Sequence, residues 1–283
     1  MVLNEQKLPL RLTRADILGS GSASIVFAIG ERIALKAPII YKANIQLTDQ
    51  QIEQSTDSIA SLAREKGIYD LLNDHPHRNI LQTILYCAEG IFVPRMSCTV
   101  DHWMQDDPKS IPAPLRLRWV KKLASAAEHL EIHGLVHGDI RPANTLLDNN
   151  MHIKLADFDS CVSTSEDCLA FTVPYHDAFE ETASHTTEQF AIGSFMYTVF
   201  TGVEPEFEIT GRKLWEERLP DTSGMLGGIS LPAAGRRSRC PSRRWRRRLW
   251  SWDWSWSWMM SGISTGAKCG LWLGQIARIP LRG

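Results

Sequence analysis

The chain has 283 residues, 43% of them hydrophobic and 22% charged, and its 31 Lys and Arg stand against 32 Asp and Glu for a net charge of −1. That composition excludes a wholly disordered chain, a collagen-like chain and a disulfide-dense miniature, and the length suffices to bury one large core or two smaller ones. No unbroken apolar run reaches the roughly 20 residues needed to cross a bilayer.

The start, Met1 to Leu10, carries Glu5 and Lys7 and lacks the apolar centre of a signal peptide, so a cytoplasmic or nuclear location is expected. The six cysteines, at 87, 98, 161, 168, 240 and 269, form no Cys-x-x-Cys pair, and neither zinc nor a disulfide framework is expected.

The elements follow in chain order. Ile17-Leu18, Ile25-Val26-Phe27 and Ile33-Ala34-Leu35 are short apolar runs punctuated by Gly19, Gly21 and Gly30, which predicts three strands joined by turns. Residues 41 to 57 are polar and read as a loop or irregular insert. From Asp57 to Leu72 the spacing is helical, with Ile59, Leu62, Tyr69 and Leu72 on one face and Glu65 among them. A carboxylate there needs a positive partner, because an unpaired buried charge is costly. Pro114 suits a first helical turn, and Trp119, Val120, Leu123, Ala126, Ala127 and Leu130 make the buried stripe of a helix ending near His133-Gly134. Leu135-Val136, Thr145-Leu147 and Ile153-Leu155 read as strands, with a turn at Asp148-Asn149-Asn150. Phe190 to Phe200 is apolar almost all round and predicts an interior helix, capped by Thr186 or Thr187 and closed by Gly202.

Three constellations carry chemistry. Gly19-Ser20-Gly21, leading to Val26, is a glycine-rich turn between strands, of the kind that lets backbone N–H groups approach phosphate oxygens; taken alone the signal is weak and an ordinary hairpin is the favoured reading. Ala34-Leu35-Lys36 places a lysine on a buried strand, and Glu65 is the natural carboxylate to hold it. Val136-His137-Gly138-Asp139-Ile140-Arg141-Pro142-Ala143-Asn144, followed by Ala156-Asp157-Phe158-Asp159, supplies a carboxylate for an attacking hydroxyl at Asp139 and oxygen ligands for a hard cation at Asn144 and Asp157. Magnesium is expected over zinc because thiolates and paired histidines are absent nearby. His137 reads as a packing residue of the loop, and His129 with His133 as solvated helix positions.

From Ile17 to Trp215 the order and spacing of these pieces resembles the protein kinase superfamily. The resemblance implies an α+β, bilobal fold with a small β-rich N-lobe and a mainly helical, incomplete C-lobe. It implies domains at 1–14 (extension), 15–96 (N-lobe and hinge) and 97–220 (partial C-lobe), with ATP and Mg2+ as cofactors and a protein hydroxyl, by default serine or threonine, as acceptor. Gly19, Ser20, Gly21, Val26, Ala34, Lys36, Glu65, Val93 and Met96 would line the nucleotide site, with Ile91–Met96 as the hinge. Lys36, Asp139 and Arg141 would be catalytic, and Asn144 and Asp157 would hold the metal. Glu188 stands where the family usually anchors the catalytic loop with aspartate. Gly138 replaces an arginine that commonly reads an activation-loop phosphate, Arg141 a frequent lysine, Asp159 the glycine of the magnesium motif and Ser24 the third loop glycine; Val173-Pro174-Tyr175 is the nearest trace of the motif that closes the activation segment.

The tail breaks the pattern. Residues 221–283 hold 11 Lys and Arg, 2 Asp and Glu and seven of the ten Trp, giving a local charge of +9 against −10 for the rest. Arg236 to Arg248 invites a nucleic-acid reading. The biased composition instead predicts an aberrant or disordered segment, with neither nucleic acid nor membrane as a partner. The competing functions are a small-molecule kinase of aminoglycoside or choline type, which shares the His-Gly-Asp loop, and a pseudokinase-like nucleotide-binding scaffold.

Overall fold

The computed structural model of the chain describes residues 12–42, 46–106 and 111–205. The expectations for the first ten residues and for the basic, Trp-rich tail lie outside the described residues. The described residues form two compact units: one holds those from Leu12 to Val100 together with Ala143–Cys161, the other those within Asp101–Pro142 and Val162–Pro205.

The first unit is built on a five-stranded antiparallel sheet. Its strands are β1 (Ile17–Ser20), β2 (Ser24–Ile29), β3 (Ile33–Pro38), β4 (Leu85–Cys87) and β5 (Gly90–Pro94), in the order β1-β2-β3-β5-β4. The three expected strands are all present. Side chains alternate across the sheet. Ile25, Phe27, Leu35, Ala37, Ile39 and Tyr41 pack into one buried cluster. The register sets Lys36 opposite Val26 on one side and Ile91 on the other, and Ala34 opposite Val93. Val26, Ala34, Lys36 and Val93 therefore share the face opposite the Ile25–Phe27–Leu35 cluster.

Between β3 and β4 runs α1 (Asp49–Asp74). It begins eight residues before the expected Asp57, so the second half of the supposed insert is helical. The Thr48 hydroxyl accepts from the Gln51 N–H and the Gln51 side chain accepts from the Thr48 N–H, a reciprocal cap. Ile59, expected on the buried face, is 51% exposed; the buried positions are Ser58, Ser61, Leu62, Glu65, Tyr69 and Leu72. Small polar residues occupy the first part of that stripe, where the helix lies close to the main chain of the sheet.

β6 (Cys98–Thr99), β8 (Thr145–Leu147) and β9 (Ile153–Leu155) form a three-stranded antiparallel sheet. Main-chain bonds from Leu81 N–H to the Leu155 carbonyl, and from Leu155 N–H to the Asn79 carbonyl, both at 2.8 Å, fasten β9 to the segment that follows α1. This is why 143–161 folds with the first unit.

In the second unit, α2 (Val100–Asp106) leads to α3 (Ala113–Ile132), and β7 (Leu135–Val136) pairs with β10 (Val162–Ser163). The α3 stripe is buried as expected, with Trp119 at its centre. α4 (His185–Thr201) is buried on almost every side from Thr187 to Val199 and ends at Gly202. Its cap is Ser184, which exchanges hydrogen bonds with Thr187, rather than either expected threonine. The Arg116 guanidinium donates to the Phe200 carbonyl at 2.7 Å, covering a terminal acceptor of α4 from α3.

Candidate active site

In the first unit the glycine-rich segment is an exposed turn. Gly21 N–H donates to the Ser24 carbonyl at 2.9 Å, closing it between β1 and β2. A side chain added at Gly19 would meet nothing within 4 Å, so the surface above that backbone is open. Val26, Ala34 and Val93 lie on the same sheet face as Lys36, as the register requires, and Met96 follows β5 at the strand's end.

Lys36 projects from the central strand into a cluster of carboxylates. Its Nζ lies 2.5 Å from Glu65 Oε2 and also pairs with Asp157 Oδ1. Glu65 is 1% exposed, and its other oxygen accepts the Phe158 N–H at 3.1 Å. One carboxylate on α1 thus holds both the β3 lysine and the turn after β9. Burial works against the Lys36 ammonium, yet Asp157, Glu65 and Asp159 overcome it and hold its pKa above that of an ordinary lysine. Burial is also the main influence on Glu65 and raises its pKa; Lys36 opposes that rise and Asp157 adds to it.

Beneath this cluster Phe158 is wholly buried edge-on against Tyr69, with ring centroids 5.3 Å apart at 73°. Asp157 has a left-handed backbone, φ 68°, and a side chain 37% exposed. The Ala156 N–H donates to the Asn144 carbonyl at 3.0 Å, which puts Asn144 and Asp157 at one end of the β8–β9 hairpin. The donor set there is one carboxylate and one amide oxygen, without thiolate or imidazole, and it fits a hard divalent cation. Among the described residues no group of three or more His, Cys, Asp and Glu is placed to hold a metal by itself.

The second unit carries the loop from His137 to Arg141. Asp139 is buried, and its Oδ2 accepts from Arg141 Nε at 2.9 Å. The loop backbone is gripped by Glu188 on α4: one oxygen accepts the His137 N–H and the other the Gly138 N–H, each at 3.0 Å. Gly138 has φ +78°, a conformation that disfavours any side chain. Burial raises the pKa of Glu188, against the opposing effect of His137 and the two N–H groups.

Lys36, Glu65 and Asp157 thus meet in direct contact, and Asn144 lies at the same hairpin end as Asp157. Asp139 and Arg141 pair with each other in the second unit. Two contributors carry no motif signal. Tyr69 reads as core in sequence and backs Phe158. Gly90, with φ +159°, lets β5 approach β3 so closely that a Cβ would fall 2.1 Å from the Lys36 carbonyl oxygen.

A family model described as "Protein kinase domain" matches residues 12–223. The chain is 28% identical over 207 residues to the hormonally up-regulated neu tumor-associated kinase homolog of Xenopus tropicalis, a match covering 66% of this chain and 28% of that protein. It is 27% identical over 207 residues to the mouse hormonally up-regulated neu tumor-associated kinase, covering 66% of this chain and 27% of that one. U-box domain-containing protein 33 of Arabidopsis thaliana is 28% identical over 185 residues, covering 59% and 22% respectively. The chain spans little more than a quarter of the length of the first of these relatives. No helix among the described residues is long and apolar enough to cross a membrane.

Proposed function

The chain belongs to the protein kinase domain family, and from that premise we propose that it transfers the γ-phosphoryl group of ATP to a hydroxyl of a protein, serine or threonine by default. The observation that carries this reading is the contact of Lys36 with both Glu65 and Asp157. A buried ammonium held in place by carboxylates is pre-set to meet phosphate oxygens with little reorganisation, and phosphoryl transfer is catalysed chiefly by such positioning and electrostatic stabilisation.

In this reading the main chain of Gly19, Ser20 and Gly21 cradles phosphates, Val26, Ala34, Val93 and Met96 line the base, and Lys36 holds the α- and β-phosphates. Asn144 and Asp157 hold Mg2+, which supplies charge neutralisation at the phosphate oxygens when bound. Asp139 orients the acceptor hydroxyl and takes its proton. Arg141, already bonded to Asp139, fixes that carboxylate and brings positive charge to the transferred group. Glu188 keeps the loop in shape through two backbone N–H groups. Nothing in this scheme requires a phosphate on the segment before α4, because position 138 is glycine.

Labelled ATP with Mg2+, offered with a generic protein substrate and in parallel with a panel of amino alcohols, tests the proposal. Label is expected on protein, to be lost in Asp139→Asn while that variant still shows a nucleotide-dependent thermal shift. Label passing only to an amino alcohol, or nucleotide binding with no turnover by the native chain, would overturn it.

A further inference from the structure

The buried stripe of α1 opens with a serine where an apolar side chain would bury more surface. Ser58 is 1% exposed, and a buried hydroxyl is costly unless its hydrogen bonds are made. They are made to main chain that flanks two separate strands. Ser58 Oγ accepts the Ile39 N–H, just past β3, at 2.7 Å, and donates to the carbonyl of Ala23, at the entrance to β2. One helical turn earlier, Gln54 Nε2 donates to the Ser22 carbonyl at 3.4 Å, while its Oε1 accepts the Tyr41 hydroxyl at 2.6 Å. Two successive carbonyls of the glycine-rich turn are thus held by two successive turns of one helix.

Ser58 lies seven residues before Glu65, two helical turns along the same face. The helix that carries Glu65 to Lys36 therefore also sets the turn. We infer that Ser58, with Gln54 beside it, is a positioning residue that fixes the glycine-rich turn relative to the Lys36–Glu65 pair. The functional part of this inference rests on the nucleotide reading above; the tether itself does not. A displacement of α1 that separates Glu65 from Lys36 also pulls on the carbonyls of Ser22 and Ala23, so the two halves of the proposed phosphate site tighten and loosen together. Ser58→Ala removes the hydroxyl bonds to Ala23 and Ile39 at once.

The test uses the full chain in two measurements. Backbone hydrogen exchange over residues 19–24 needs no ligand, and affinity for a non-hydrolysable ATP analogue with Mg2+ reads the consequence. Ser58→Ala is expected to speed exchange of the turn amides and to weaken the analogue, each by roughly tenfold, the scale of one lost buried hydrogen bond. Gln54→Ala moves both in the same direction by less. Thr56→Ala, which removes only a bond to the Ile52 carbonyl within the helix, leaves both unchanged. Ser58→Ala combined with Glu65→Gln is expected to weaken the analogue by less than the product of the single effects, a non-additivity that general loss of stability does not produce. Unchanged exchange over 19–24 in Ser58→Ala and Gln54→Ala, or strictly multiplicative effects with Glu65→Gln, overturns the inference. If the native chain binds no nucleotide, the kinase reading fails while the exchange data still decide the tether. If Ser58→Ala does not fold, the exchange data on the exposed Gln54 bond decide it.

Discussion

The Phe158 main-chain N–H donates to Glu65 at 3.1 Å, across 93 positions of sequence, while the other oxygen of that carboxylate faces the Lys36 ammonium. Glu65→Ala removes the carboxylate that accepts the Phe158 N–H and pairs with Lys36. The expected loss is about 1–3 kcal/mol of stability and roughly a hundredfold in phosphoryl transfer, the scale of a small misplacement at a reacting centre. Glu65→Gln keeps an acceptor for Phe158 and loses the ion pair, so its stability falls less than its activity. Denaturant unfolding beside transfer rates distinguishes the two variants.

Lys36 gives a pH signature. Its pKa in the folded chain stands above the ordinary 10.5 because three carboxylates outweigh the effect of burial. Above that ordinary value the folded chain keeps a proton that the unfolded chain releases. Its contribution is therefore complete below 10.5 and fades as pH rises through the elevated folded value. The stability difference between the native chain and Lys36→Met is expected to shrink with increasing alkalinity, measured by urea unfolding from about pH 9 upward. In Asp159→Gly that decline begins at lower pH, since one of the three carboxylates is gone.

Gly90→Ala tests the close approach of β5 to β3. The new methyl would sit 2.1 Å from the Lys36 carbonyl oxygen and 3.0 Å from Leu35 Cδ1. The first of these is main chain of a central strand and cannot rotate away, so β5 must separate from β3. A loss of about 3 kcal/mol or more is expected, with nucleotide-dependent thermal stabilisation falling in parallel because the displaced residue is Lys36.

Glu188→Gln places one acceptor and one donor opposite two N–H groups. One of the His137 and Gly138 donors then faces an NH2, at a cost of about 1–3 kcal/mol. Burial raises the pKa of Glu188 above its reference 4.5, so the folded chain binds that proton more tightly than the unfolded chain does. The native advantage is largest below that reference and narrows as pH rises through the raised value. Unfolding of both proteins across the acid range, compared at each pH, reads the trend.

Gly138→Ala keeps Glu188 intact and strains the loop it holds. At φ +78° an L side chain costs about 1–2 kcal/mol. Gly138→Asn is expected to cost less than Ala, because asparagine tolerates that region better. Chemical denaturation of the three proteins ranks them.

Much of this was legible from residue order, and the exceptions have physical reasons. β7, β8 and β9 match their short apolar runs because turn-forming residues bracket each one. The pairing of Lys36 with Glu65 followed from a charge in a buried stripe that required a counter-charge. The first turns of α1 are solvated and polar, and their only signal in the sequence is the Thr48–Gln51 cap. Ile59 lies on the exposed side, which hydropathy alone does not distinguish from a buried position, while Ser58 and Ser61 are the buried residues of that turn. The bond from Phe158 to Glu65 and the proximity of Gly90 to Lys36 depend on main-chain positions, for which side-chain pattern holds no record.

The edge-on seat of Phe158 against Tyr69 governs how the neighbouring Asp157 can move. Swinging that acid away means extracting an aromatic ring from a close-packed socket, and the vacated hole costs about 3–5 kcal/mol unless another ring fills it.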